Sequence, residues 1–359
     1  MVYRRLTRSR SASASADTTT TNSTSLNSSS SVTGPLPARS NSGLATTVSA
    51  DGSGRLLAYY QDSNDRIMEN SYLGGSWTLE DSSKINDSVV TTNATAGSAL
   101  AAISYTLSGE IIRQVFFIDA YGIVRTMNSS TTSDTIATSW GASVAVSQDA
   151  VSAESTVGLA ACVDHSGMNG IRVYYGSIYG GIQEVGYQFN DTGSGWTEWA
   201  FFDQSDASSG VACVTFDDGT GEDADEYINV YMRNTTTGQV QQNYWDYTVN
   251  DGWSLGPTAW SNMSIPSGSD IAACNDDQAS EYVFYQVNGG MITRGRVDPA
   301  GSDFEEFDTM QGGSSGTKLA AAFVEGGALL VFQNSSSDST MWVSDVSRSG
   351  VSISNIAIP

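Results

Sequence analysis

Residues 159–177, LAACVDHSGMNGIRVYYGS, contain the two short motifs that decide the fold. The first is a run of small apolar residues, Leu159-Ala160-Ala161, and the second is an aromatic run that begins at Arg172. The small-apolar run recurs at residues 44–46, 100–102, 159–161, 211–213, 271–273 and 319–321. An aromatic run follows each copy, at residues 56–61, 114–119, 172–177, 229–234, 282–287 and 329–334. The chain therefore contains six copies of one unit.

A unit that recurs about every 50 residues indicates a repeat architecture. The units contain short β-branched and aromatic runs bounded by Gly, Asn, Asp and Ser, and no helical periodicity is sustained over three turns. An all-β unit of this length fits a four-stranded propeller blade, so the sequence predicts an all-β fold, a six-bladed β-propeller. Small residues suit the innermost strand around the central channel, and bulky aromatic residues suit the next strand, which is buried between blades.

The composition divides the 359-residue chain into two parts. Residues 1–42 are rich in Ser, Thr and Asn, and five Arg against one Asp give this segment a net charge of +4. Such a segment cannot bury a core, so we expect a disordered tail over 1–42 and the propeller over 43–359. Because the whole chain carries −23, the propeller carries −27 and repels phosphate backbones, which argues against nucleic acid as a partner.

Three Cys and one His limit the chemistry of the chain. An odd Cys count without a C-x-x-C pair argues against a disulfide framework or zinc site, so no metal and no other cofactor is expected. We expect Cys162, Cys213 and Cys274, which each end an inner-strand motif, to be small buried residues near the channel. The sequence shows neither a transmembrane run nor the apolar core of a secretory signal. We therefore expect a cytoplasmic protein, or one released to the cell surface without a signal peptide, and no membrane insertion.

The third repeat carries the clearest candidate binding residues. Arg172 opens its aromatic run, Glu184 lies twelve residues later in the following strand, and Gly195-Trp196 comes after that strand. This pattern resembles the fungal fucose-specific lectins of the Aleuria aurantia type, whose blades carry an R-V-Y-Y/F strand, an I-x-E strand and a G-x-W turn. The resemblance covers the six repeats as a pattern and does not include the tail.

The resemblance implies a sugar-binding site between blades. In that family Arg and Glu come from one blade and aromatic residues from its neighbour, so Tyr244, Trp245 or Trp253 of repeat four would complete the site of Arg172 and Glu184. The chemistry suits a deoxysugar, because a guanidinium donates to oxygens, a carboxylate accepts from hydroxyls and an aromatic face covers the apolar edge. On residue types alone, the alternative for Arg172 and Glu184 is a structural ion pair across adjacent strands.

The other five repeats depart from the pattern. Repeat one keeps Glu69 but has Leu57 at the Arg position, where Arg55, two residues earlier on the same strand face, is the candidate substitute. The remaining repeats have other residues at the two positions: Gln114 and Thr126, Asn229 and either Gln241 or Gln242, Tyr282 and Arg294, and Leu329 with no acidic partner. One site is therefore complete and one more is a candidate, which lowers the avidity expected of such a lectin.

These observations predict a carbohydrate-binding lectin, and the resemblance implies L-fucose-containing glycans as its partners. The alternative is a degenerate lectin-like propeller that acts as a protein-interaction or structural module, because five of the six repeats lack the Arg. A glycoside hydrolase or sialidase is disfavoured because the repeats show no paired carboxylates, arginine triad or S-x-D-x-G-x-T-W turns. We therefore expect no enzymatic activity and no catalytic residues. The sequence leaves a homodimer open.

Overall fold

The structure, a computed structural model, describes most of the chain from residue 38 onward. The described ranges are 38–74, 76–78, 89–132, 139–152, 158–164, 170–190, 195–217, 226–247, 252–256, 264–276, 280–297, 304–306, 313, 316–324, 326–333, 341–346 and 356–358. Within them, six antiparallel sheets are formed, one from each repeat. The fold is the six-bladed β-propeller that the sequence predicts. No helix in these ranges is long and apolar enough to cross a membrane.

Each blade follows the chain from an inner to an outer strand. Blade one contains β1 (Leu44–Val48), β2 (Leu56–Gln61), β3 (Ile67–Leu73) and β4 (Ser76–Thr78), with β5 (Val89–Thr91) also paired to β3; blade two contains β6 (Leu100–Leu107), β7 (Glu110–Ile118), β8 (Val124–Thr131) and β9 (Val144–Ala145). Blade three contains β10 (Leu159–Asp164), β11 (Gly170–Gly176), β12 (Ile182–Gln188) and β13 (Thr197–Phe202); blade four contains β14 (Val211–Asp217), β15 (Glu226–Arg233), β16 (Val240–Asp246) and β17 (Trp253–Leu255). Blade five contains β18 (Ile271–Asn275), β19 (Glu281–Gln286), β20 (Ile292–Val297) and β21 (Phe304–Glu306); blade six contains β22 (Leu319–Val324), β23 (Gly327–Gln333), β24 (Met341–Val346) and β25 (Ile356–Ile358).

The six inner strands form a closed ring in which β22 of blade six lies beside β1 of blade one. The small-apolar motifs line the narrow part of the central channel, which explains why these positions carry Ala rather than larger residues. At one end the channel widens into a cavity of about 270 Å³, lined in part by Cys162, Cys213 and Cys274. At the narrow end, Asp270 and Lys318 from adjacent blades are both buried.

The aromatic pairs of the second strands fill both faces of a blade. Neighbouring residues of a strand point to opposite faces, so a blade that is covered on both sides needs two consecutive bulky residues. In β11, Tyr174 packs into the cluster shared with blade four, whereas Tyr175 packs into the cluster shared with blade two. In β2, Tyr59 and Tyr60 divide in the same way between blades two and six.

Tryptophans that follow the third strands pack across blade interfaces. Each lies edge-on to an aromatic ring of the preceding blade, the arrangement that aromatic pairs prefer to a flat sandwich. The contact occurs three times, between Trp140 and Tyr59, Trp196 and Phe116, and Trp253 and Tyr174, with ring centroids 6.2, 5.9 and 6.1 Å apart. Trp77 likewise packs against the cluster formed by blades one and six.

The folded part begins a few residues before the predicted boundary at residue 43. Ala38 is buried and forms an isolated β-bridge with Asp62, and the backbone N–H of Arg39 donates to the carbonyl of Gln61 over 2.8 Å. Residues 38–42 therefore belong to the propeller rather than to the tail. The rest of the predicted tail, residues 1–37, lies outside the described residues.

Candidate ligand site between blades three and four

Arg172 and Glu184 meet on the face of blade three that packs against blade four. Arg172 lies opposite Gly186 in the β11–β12 pair, and Glu184 lies opposite Tyr174. Because residues that are opposite each other or two apart share a face of a sheet, both side chains point to the same side. The Nη1 atom of Arg172 donates to Oε1 of Glu184 over 2.7 Å. The twelve-residue spacing thus corresponds to an ion pair between adjacent strands.

The carboxylate of Glu184 accepts four hydrogen bonds. Besides Arg172, the hydroxyl of Tyr174 donates to Oε1 over 3.2 Å. The indole Nε1 of Trp253 and the backbone N–H of Ala200 donate to Oε2 over 3.1 and 3.2 Å. Trp253 belongs to blade four, so the carboxylate links the two blades. Glu184 is only 1% exposed, and these four donors replace the water that it loses on burial.

Blade four also holds the guanidinium of Arg172. Its Nη2 atom donates to the hydroxyl of Tyr247 over 2.9 Å, and that hydroxyl donates to Oδ2 of Asp164 over 2.6 Å. Burial works against the charge of Arg172, but Glu184 and the nearby tyrosines raise its pKa above the ordinary value, so the guanidinium stays charged. Burial also raises the pKa of Tyr247, which keeps its hydroxyl protonated and able to donate.

Three aromatic rings surround the guanidinium. The Cζ atom of Arg172 lies 4.1 Å from the ring centre of Trp199, 5.9 Å from that of Trp245 and 6.0 Å from that of Tyr247. A cation at such distances from a ring face is attracted by the quadrupole of the ring. Trp199 comes from β13, the outer strand of blade three, and the other two rings come from blade four. The site thus combines one cation, a carboxylate and aromatic faces from two blades.

This site is closed in the structure but retains unused hydrogen-bond donors. Only 7% of Arg172 is exposed, whereas Trp199, which covers it, is 36% exposed. Two buried N–H groups, Nε of Arg172 and Nε1 of Trp245, have no hydrogen-bond partner among the residues that the structure describes. Unpartnered buried donors are uncommon in folded proteins and call for an explanation.

The structure brings together most, but not all, of the residues predicted for this site. Trp245 and Trp253 contact Arg172 or Glu184, as expected for aromatic residues from repeat four. Tyr244 does not, because it lies opposite Asn229 in the β15–β16 pair, on the face toward blade five. It packs instead with Tyr227, with ring centroids 6.5 Å apart.

Three residues of the site were not predicted from the sequence: Asp164, Trp199 and Tyr247. Tyr247 lies two residues after Trp245, and strand alternation would have placed both on one face. Asp164 ends β10, beyond the small-apolar motif, and no role was assigned to it from the sequence. Trp199 lies on the outer strand of blade three, to which no binding role was assigned from the sequence.

The second candidate site, between blades one and two, has a different composition from that predicted. Glu69 accepts from Nη1 of Arg113 in blade two over 2.9 Å and from the hydroxyl of Tyr59 over 2.7 Å. The expected substitute, Arg55, instead donates to the hydroxyl of Ser71 over 3.2 Å. Arg113 supplies the cation because it lies one position before the Arg172 equivalent, Gln114, and so points back at the preceding blade. Both charged side chains are fully buried.

The other interfaces carry no pair of the Arg172–Glu184 kind among the described residues. In the other repeats, the strand register shows which residues take the places of Arg172 and Glu184. They are Gln114 and Thr126, Asn229 and Gln242 (not Gln241), Tyr282 and Arg294, and Leu329 and Val343. Between blades four and five, Asn229 and Tyr231 both donate to the buried carboxylate of Glu281 in blade five. Glu281 occupies the same backward-facing position as Arg113.

Known proteins resemble this chain in fold but not in sequence. No family model and no curated protein sequence matches the chain. The SapL1 lectin, solved in complex with alpha methyl fucoside, has a TM-score of 0.69 at 19% identity, covering 90% of this chain and 98% of its own. The fucose-specific lectin from Aleuria aurantia has a TM-score of 0.69 at 20% identity, covering 90% and 97%. AofleA from Arthrobotrys oligospora has a TM-score of 0.65 at 14% identity, covering 90% and 88%.

These similarities confirm, at the level of fold, the resemblance to the Aleuria aurantia type of lectin. Each covers nine tenths of this chain, so the similarity extends over all six blades rather than over one repeat. At identities of 14–20%, the likeness does not carry binding residues from one chain to the other.

Proposed function

We propose that this protein is a carbohydrate-binding lectin with one glycan site, between blades three and four. The observation that supports it is the convergence of Arg172, Glu184 and the indole of Trp253 at one blade interface. A charged guanidinium donates to ring and hydroxyl oxygens, a carboxylate accepts from hydroxyls, and the surrounding aromatic faces cover the apolar side of a sugar ring. The unpartnered Nε atom of Arg172 and Nε1 atom of Trp245 add two donors for sugar oxygens.

The proposed ligand class is fucose-containing glycans. The supporting comparisons are the SapL1 lectin with alpha methyl fucoside and the Aleuria aurantia lectin with Fucα1-6GlcNAc, both of which share the fold over 90% of this chain. A deoxysugar also fits the mixed character of the site, since its methyl group needs an apolar contact and its hydroxyls need donors and acceptors. With one site per chain, binding lacks the avidity of a multivalent lectin.

A titration with alpha methyl fucoside, preceded by a glycan array, tests the proposal. Glu184→Gln keeps the shape of the side chain but removes the charge that accepts sugar hydroxyls, and we expect a loss of about 100-fold in affinity, the scale of a charged hydrogen bond. Glu198→Gln, which removes an exposed carboxylate from the same blade, is the matched control and should bind as the wild type does. Absence of binding to any glycan would overturn the proposal.

A second candidate function is a structural or protein-interaction module. It is favoured by the near-complete burial of Arg172 and Glu184, whose polar atoms are largely satisfied within the protein. In that case Glu184→Gln would lower stability without affecting any glycan affinity, and a protein partner would stay bound in excess free sugar. Measuring both the stability and the glycan affinity of Glu184→Gln therefore distinguishes the two candidate functions.

We also propose that the site has no hydrolytic activity. Glycoside hydrolysis commonly uses two carboxyl groups on opposite sides of the scissile bond. The two carboxylates beside Arg172, those of Glu184 and Asp164, are both engaged by donors of the protein. Release of sugar from a fucosylated oligosaccharide by the purified protein would contradict this point.

A further inference from the structure

Trp199 lies at a β-bulge in the outer strand of blade three. Val185 pairs with Glu198, and Gln183 pairs with Phe201, so Trp199 and Ala200 both lie opposite Glu184. Val185 packs toward blade two, so Glu198, which lies opposite it, shares that face. Alternation then points the next residue, Trp199, to the other face of blade three, which carries Glu184 and Arg172.

Gly186 provides the space that the indole occupies. A Cβ atom built on Gly186 would lie 2.0 Å from two carbon atoms of the Trp199 ring and 2.3 Å from a third. Any side chain at position 186 would therefore push the indole away. Gly186 is also the residue opposite Arg172 in the β11–β12 pair, so the ring lies over both residues at once.

The indole of Trp199 covers the guanidinium of Arg172. Its ring centre is 4.1 Å from Cζ of Arg172, which is 7% exposed. Trp199 itself lies on the outermost strand of the blade, between exposed Glu198 and the half-buried Ala200. A side chain that is 36% exposed on an outer strand can move by rotation about its own bonds, without separating the blades.

We infer that Trp199 is the gate of the site: its indole occupies the place of the ligand on Arg172, and a glycan binds by displacing it. This inference rests on the proposed lectin function for the identity of the ligand. The part of the inference that concerns the accessibility of Arg172 in the free protein can be tested without any sugar. Loss of the indole should therefore both expose Arg172 and tighten glycan binding, because the ligand no longer competes with the ring.

Chemical modification of the free protein tests the gate directly. Phenylglyoxal reacts with accessible guanidinium groups, and peptide mass spectrometry gives the rate at Arg172. We expect Trp199→Ala to raise that rate about tenfold, the scale of a partly desolvated cation–π contact. Phe201→Ala is the matched control, because Phe201 is 42% exposed on the same strand but pairs with Gln183 and faces the other way. Gly186→Ala, which keeps Trp199 but displaces its ring, should raise the rate as well.

A titration of the same variants with alpha methyl fucoside completes the test. If Trp199 is the gate, the Kd for alpha methyl fucoside should be lower in Trp199→Ala than in the wild type, also by about tenfold. An unchanged modification rate at Arg172 in both Trp199→Ala and Gly186→Ala would overturn the inference. A raised rate with weaker sugar binding would overturn it too, because Trp199 would then be a stacking surface for the ligand. If no variant binds sugar, the proposed function fails, while the gate is still judged by the modification rates.

Discussion

The buried carboxyl group of Glu281 should make the stability of the propeller depend on pH. Glu281 begins β19 and is enclosed between blades four and five, where Tyr231 and Asn229 donate to it. Burial raises its pKa from 4.5 to about 7, although these two hydrogen bonds act in the opposite direction. Tyr231 stays protonated in this pH range, because burial and Glu281 raise its pKa well above 10.

The magnitude follows from the difference between the folded and unfolded pKa values. Below pH 4.5 the carboxyl group is protonated in both states and costs nothing. As the pH rises from 4.5 to 7, the unfolded chain ionises while the folded protein holds its proton, so the free energy of unfolding falls. The loss reaches about 3 kcal/mol near pH 7 and stays constant above it, at about 1.36 kcal/mol per pH unit of separation.

Urea denaturation of the wild type and Glu281→Gln at a series of pH values between about 4 and 8 measures this effect. The amide introduced by Glu281→Gln does not titrate, so the variant should gain about 3 kcal/mol relative to the wild type on going from about pH 4 to pH 8. Glu198→Gln controls for the loss of one negative charge. A stability difference between the wild type and Glu281→Gln that does not change with pH would refute the assignment of a raised pKa to Glu281.

Three further substitutions have defined outcomes. Arg113→Met leaves Glu69 buried without its cation and should cost about 3–5 kcal/mol of stability in urea, with glycan affinity unchanged. Burial raises the pKa of Asp270 to about 6, and the charge of Lys318 opposes this shift. Lys318→Met should therefore lower the melting temperature more at about pH 8, where Asp270 is ionised, than at about pH 5, where it is protonated. An equal loss at both pH values would be inconsistent with this reasoning. Tyr247→Phe deletes the hydroxyl that links Arg172 to blade four and should weaken binding of alpha methyl fucoside by about tenfold, whereas unchanged affinity would show that the link is dispensable.

The propeller could be predicted from the sequence because its determinants are local and repeated six times. The innermost strands crowd around the channel and therefore carry small residues. The second strands are covered on both faces by neighbouring blades and therefore carry two consecutive aromatic residues. The pairing of Arg172 with Glu184 was also predictable, because a hairpin fixes which residues of two neighbouring strands share a face.

The environment of that pair could not be predicted in the same way. Trp199 lies on the outer strand of blade three, within a β-bulge, whereas aromatic residues for this site were expected from blade four. Arg113 and Glu281 each lie one residue before the position equivalent to Arg172, and their side chains contact the preceding blade. A prediction that pairs residues only within one repeat therefore misses these contacts. Contacts between repeats depend on which face of each blade meets the next, and that information is not in the spacing of the motifs.

Isothermal titration calorimetry with alpha methyl fucoside tests the central claim most directly, because it reports the number of sites as well as affinity. One glycan site between blades three and four predicts a stoichiometry of one sugar per chain and loss of the binding heat in Glu184→Gln, with Glu198→Gln unchanged. Two or more sites per chain, or full binding by Glu184→Gln, would contradict the claim.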